Sequence, residues 1–155
     1  MKQIMTTNLK QAISNVLELM FFVSVQIRED YDPAAATPLN GQACIGATLA
    51  FSGPLSGAYY LLIPQEMARE ITANFLGLDE DEVSAGQEQD TVKEALNMIG
   101  GHMLSLTDAP DSFQLGIPAI IPQQATDPGV YAGNKEDTIF IDAGSYRMVA
   151  GIELA

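Results

Sequence analysis

The sequence predicts an α+β fold of two layers, with helices packed on a sheet. Three observations predict it: three segments that read as helices, short β-prone runs joined in hairpin-like groups, and a 47% apolar composition over 155 residues, ample for one buried core. A single domain spanning residues 1–155 is the expectation.

Leu9, Ile13, Val16, Leu17 and Met20 recur at the spacing of one helix face, which predicts an amphipathic first helix from about Asn8 to about Ile27. Within it Val16–Val25 follows Lys2 and Lys10 much as a signal peptide would, but Glu18 interrupts the run and no small-residue cleavage site follows. Pro33 and Pro38 mark Asp30–Asn40 as a loop. Gln42–Phe51 and Gly57–Ile63 are β-prone runs, and Ser52-Gly53-Pro54-Leu55-Ser56-Gly57 between them reads as a hairpin connection. Pro64 suits the first position of a second helix that runs to about Leu76 and stops at Gly77. Asp79–Glu82 is read as a solvated acidic turn. Ser84, with Gln87 three residues on, forms a capping-box pattern opening the third and longest helix, which runs to about Thr107. Strands are expected at Ser112–Ile121, Thr138–Asp142 and Tyr146–Leu154, with a Gly/Pro/Asp-rich connection between the first two.

Charge and composition exclude several classes of function. Seven Lys and Arg against twenty Asp and Glu give a net charge of −13, so a nucleic-acid backbone or an anionic membrane surface would be repelled. No apolar run is long enough to span a bilayer. Cys44, the single cysteine, lies in an apolar strand-like run and reads as a buried small hydrophobe; with one histidine, His102, no Cys/His metal cluster can form. A reducing, cytoplasmic setting and no metal site follow as expectations. His102 falls near the edge of the third helix's apolar face, where a packed or partly exposed ring is expected.

The third helix carries the most informative pattern. At roughly 100° per residue, Glu94 and Asn97 fall about 40° and 20° to either side of Asp90, so the three polar groups share one stripe. Val92, Leu96, Ile99, Met103 and Leu106 gather on the opposite side, as expected of a helix lying on a sheet with its polar stripe outward. Gly101 continues that stripe, and Gly100 beside it doubles a helix-interior cost of about 1 kcal/mol per glycine. Two explanations stand equal on spacing alone: bare backbone that lets another protein surface approach, or relief of crowding against a neighbouring element.

The segment Asp90-Thr91-Val92-Lys93-Glu94-Ala95-Leu96-Asn97-Met98-Ile99-Gly100-Gly101 resembles the signature helix of the CheC/CheX/FliY phosphatases of bacterial chemotaxis. That pattern is an Asp or Ser, three residues, a Glu, two residues, an Asn, and a Pro some twenty residues later. Asp90, Glu94 and Asn97 fit its helical part; Pro118 suits the proline, being a Gly-x-Pro at a strand start, and Pro122 is a second candidate. The resemblance extends more loosely over most of the chain, and CheX is the member nearest in length and in having one clear motif.

It implies a CheC-like fold, a mostly antiparallel sheet with long helices on one face, and hydrolysis of the aspartyl phosphate on a CheY-like receiver domain. Asn97 is then implied as the group that orients the attacking water and Glu94 as a docking and catalytic carboxylate that pairs with the receiver's lysine. Asp90 and Gly101 would assist docking, and Pro118 would shape the site from behind. No cofactor of its own is implied, since the receiver brings its Mg²⁺. A homodimer formed through the sheet is also implied, and the apolar strands Ala43–Phe51 and Ala58–Ile63 read as offering an edge that pairing would protect. The alternative is a non-catalytic receiver-binding or flagellar-switch adaptor module of the same fold.

Ser14, Glu18 and Phe21 repeat the spacing of Asp90, Glu94 and Asn97 in the first helix. A phenyl ring cannot orient water through strong hydrogen bonds, so one active face per chain is expected.

Overall fold

The computed structural model describes residues 2–28, 43–122 and 138–155. In chain order the elements are α1 (Lys2–Met20), β1 (Val25–Arg28), β2 (Cys44–Ser52), β3 (Gly57–Pro64), α2 (Gln65–Leu76), a 3-10 turn (Glu80–Glu82), α3 (Ala85–Ser105), a second 3-10 turn (Pro110–Ser112), β4 (Gln114–Leu115), β5 (Ala119–Ile120), β6 (Ile139–Ala143) and β7 (Tyr146–Leu154). The strands form one antiparallel sheet in the order β1-β6-β7-β3-β2-β4, with β5 also on β2. The α+β expectation holds.

Side-chain alternation explains the two layers. On β3, Tyr59, Leu61 and Ile63 join the cluster shared with α1, α2 and α3, while Tyr60 and Leu62 turn to the other face and pack with Phe140 and Val149. Both faces of β3 and β7 are therefore apolar, which is why Tyr59-Tyr60-Leu61-Leu62-Ile63 reads as an unbroken hydrophobic run.

Several sequence expectations shift. The first helix begins at Lys2 and ends at Met20, and Val25–Ile27, expected to be helical, belongs to β1. The stop is Phe22, which adopts a left-handed φ of 59° while the Val23 N–H turns back to the Leu17 carbonyl. Beyond it β1 pairs with β6, more than a hundred residues later. Ser112–Ile121 is not one strand: β4 pairs with Phe51 and Ser52, β5 with Ala47 and Thr48, and Gly116–Pro118 spans the gap, anchored by the Gly116 N–H on the Ala50 carbonyl. Proline at 118 has no N–H to continue the ladder. Pro64 closes β3 and caps α2 instead of occupying its first turn. Leu106 lies past the end of α3 and is 37% exposed, so it leaves the buried face on which Val92, Leu96, Ile99 and Met103 remain.

The strands expected to offer an edge do not. β3 lies between β2 and β7, and β2 is paired on both sides, because the β4 and β5 segments return to it; among the described residues the edges are β1 on one side and the short β4 and β5 on the other. The loop at Asp30–Asn40 and the connection before Thr138 lie outside the described residues.

Other expectations hold. Gly77 ends α2 in the left-handed region, with φ 69°. Cys44 is buried. Asp79 and Glu82 cap their own turn reciprocally, with every side chain of that acidic segment exposed.

Candidate functional site

The register of α3 is set at its first turn. The Ser84 hydroxyl accepts from the Gln87 N–H at 3.1 Å and the Gln87 side chain accepts from the Ser84 N–H at 2.9 Å, so the capping box is reciprocal. Beside it Glu88, buried although charged, accepts from the Arg69 guanidinium at 3.2 Å and the Gln65 amide at 3.4 Å, tying α3 to α2. Downstream, Val92, Ala95, Leu96, Ile99 and Met103 enter the core. Helical geometry then fixes the opposite face: Asp90, Glu94, Asn97 and Gly101 are all exposed. Lys93 reaches back to Asp90 at 3.6 Å, so among the described residues Glu94 is the carboxylate of the stripe without an ion pair.

The two glycines have different surroundings. A side chain at Gly101 would meet nothing within 4 Å, so this turn offers bare backbone to solvent. A Cβ at Gly100 would overlap the Tyr59 hydroxyl and lie 3.1 Å from Leu115 Cδ2. Each of the two explanations applies to one glycine: open approach at Gly101, crowding at Gly100.

Tyr59, fully buried on β3, donates its hydroxyl to the Leu96 carbonyl at 2.6 Å, and the hydroxyl lies against the Gly100 backbone. Burial pushes its phenol far above the ordinary range, so it stays a neutral donor. No sequence signal marks it beyond Gly100, which it lies under. On one flank of α3, His102 Nε2 meets the Asn15 side-chain nitrogen of α1 at 2.9 Å, which accounts for its half-buried ring. On the other flank Leu115 packs on Gly100, and two residues later Ile117, in the β4–β5 connection, is 89% exposed. Pro118 is partly buried in that connection.

The stripe borders open solvent. A cavity of about 300 Å³ lies elsewhere, lined by Cys44, Gln65, Glu88 and Ile121 among others, and none of the stripe residues contributes to it. An exposed ridge suits a macromolecular surface better than a small molecule, which needs a concave site. In α1, Glu18 is spent on the Val25 N–H, and Phe21 is 0% exposed, stacked on Phe75 with ring centroids 5.2 Å apart. The echo of the motif thus ends in the core.

A conserved-family description matches residues 45–136, more than half the chain, as chemotaxis phosphatase CheX, and the chain belongs to that family. Solved structures of the same fold include CheX from Vibrio vulnificus (TM-score 0.73, 14% identity, covering 97% of this chain and 96% of that one). The CheX–CheY–BeF₃–Mg²⁺ complex from Borrelia burgdorferi (TM-score 0.66, 14% identity, 96% of each chain) and Thermotoga maritima FliY (TM-score 0.58, 14% identity, 99% and 89%) are similar as well. No curated protein matches the sequence significantly.

Proposed function

We propose that this protein hydrolyses the aspartyl phosphate of a phosphorylated CheY-like receiver domain, with Asn97 and Glu94 as its catalytic pair. The observation that carries the reading is the outward stripe of Asp90, Glu94, Asn97 and Gly101 on a helix clamped from beneath, in a chain of the CheX family.

An acyl phosphate is already reactive, and a receiver supplies Mg²⁺ and a lysine to its phosphoryl oxygens. What it lacks is an in-line water. Phosphoryl transfer depends chiefly on positioning and on charge stabilisation, so one group that holds water against phosphorus can suffice. The Asn97 amide has both an acceptor and donors for that purpose. Glu94, one turn earlier, would pair with the receiver's lysine, aligning the two proteins and excluding bulk water. General-base action by Glu94 is secondary, because a loose transition state asks little of a base. Asp90 is partly satisfied by Lys93 and supports docking, Gly101 permits close approach, and Pro118 shapes the connection behind α3. The chain needs no cofactor of its own, and the one domain acts in the cytoplasm where receivers reside.

A homodimer is part of the proposal. The described sheet leaves β1 paired on one side only, so Val25–Arg28 offers the edge that β2 and β3 do not. Light scattering at micromolar concentration should give twice the chain mass; a monomer would remove this element.

The function is tested by mixing the protein with receivers loaded by a small-molecule phosphodonor and following phosphate release with Mg²⁺. Release faster than the receiver's own decay supports the phosphatase. Binding without acceleration would support the adaptor alternative.

A further inference from the structure

Two residue choices beneath Asn97 each work against the stability of their own element. Tyr59 is fully buried in the middle of the sheet, where phenylalanine would fill the same space without burying a hydroxyl. Gly100 is in the interior of α3, where alanine is the better helix former. They meet at one point: the hydroxyl donates to the Leu96 carbonyl against the Gly100 backbone, and only a residue without a Cβ leaves room for it. In a regular helix the Leu96 carbonyl and the Gly100 N–H are partners across one turn. Asn97 follows Leu96 directly, so its backbone lies within the pinned turn.

We propose that Tyr59 is a positioning residue for the phosphatase reaction, its hydroxyl pinning the Leu96–Gly100 turn of α3 and so fixing the direction in which Asn97 is presented. This rests on the reading of Asn97 as the water-orienting group.

Tyr59 is well placed to act as a fixed reference. Its strand is hydrogen-bonded on both sides, with Tyr59 opposite Leu49 on β2 and Ile152 on β7. A side chain anchored there carries the rigidity of the sheet into a helix turn that otherwise rests on the sheet through buried apolar side chains. Holding water in line with phosphorus is sensitive to placement: an ångström of misplacement can cost about a hundredfold in rate.

The test compares wild type with Tyr59→Phe in phosphate release from a phosphorylated CheY-like receiver, across receiver concentrations and below the melting temperature of both proteins. The inference expects kcat to fall about tenfold or more while KM, and the Kd for the beryllofluoride-loaded receiver, stay unchanged, because the exposed docking surface is intact. An active wild type together with undiminished kcat in Tyr59→Phe overturns the inference. Wild type inactive on every receiver, with the pinned turn present, would instead overturn the phosphatase reading. The turn itself is read in wild type by NMR, where a slowly exchanging Tyr59 hydroxyl proton should show a nuclear Overhauser contact to the Gly100 amide proton. Absence of that contact overturns the inference even if Tyr59→Phe cannot be purified folded.

Discussion

Adjacent glycines in one helix should respond in opposite directions to the same substitution. Alanine relieves a helix-interior glycine of about 1 kcal/mol. At Gly101 nothing lies within 4 Å of the added methyl, so Gly101→Ala should keep most of that gain and raise the melting temperature by about 2 to 4 °C for a chain of this size. At Gly100 the methyl overlaps the Tyr59 hydroxyl and presses on Leu115 Cδ2 at 3.1 Å. Overpacking of that kind costs about 1 to 3 kcal/mol. Displacing the hydroxyl from Leu96 leaves a buried polar group unpaired, at a further cost of about 1 to 3 kcal/mol. Subtracting the propensity gain, Gly100→Ala should lose about 1 to 5 kcal/mol, a fall of about 2 to 20 °C. Thermal and urea unfolding of both variants in one buffer read the difference directly. Equal stabilisation by the two alanines would refute the packing assigned to Gly100 and with it the hydroxyl-filled turn.

Phe21→Ala should cost about 3 to 5 kcal/mol, because a wholly buried ring stacked on Phe75 is removed, and should leave the kcat of the folded fraction unchanged. Reduced kcat in protein shown to be folded by circular dichroism would mean that the α1 face takes part in the chemistry. Glu94→Ala should raise the Kd for a beryllofluoride-loaded receiver about tenfold with no loss of stability, since the carboxylate is exposed and its partner is on the other protein. Unchanged affinity in a calorimetric titration would count against its docking role.

Signals that act over a few residues were legible in the sequence. The Ser84–Gln87 box, the left-handed Gly77 stop, the β2–β3 hairpin and the outward Asp90, Glu94, Asn97 stripe each rest on local chemistry or helical periodicity. What was missed depended on distant partners. The first helix ends at a left-handed phenylalanine, a conformation sequence reading assigns to glycine or asparagine, and Val25–Ile27 is a strand because β6 pairs with it from far along the chain. The split of β4 from β5 follows from where β2 accepts hydrogen bonds. The edge expected at β2 and β3 failed for the same reason, because strand order is a tertiary property. Tyr59 could not be singled out either. In the chain it is one aromatic in an apolar strand, and only packing puts its hydroxyl beneath Gly100.

The central claim is that Asn97 supplies the catalytic water to a receiver's aspartyl phosphate. Its most direct test is a single-turnover comparison of wild type and Asn97→Ala on a phosphorylated CheY-like receiver with Mg²⁺, paired with Kd measurements on the beryllofluoride-loaded receiver. Because Asn97 is exposed, removing its amide should leave the fold and the affinity nearly unchanged while hydrolysis falls at least about a hundredfold, toward the receiver's own decay. Turnover at the wild-type rate in a folded, receiver-binding Asn97→Ala protein would contradict the account.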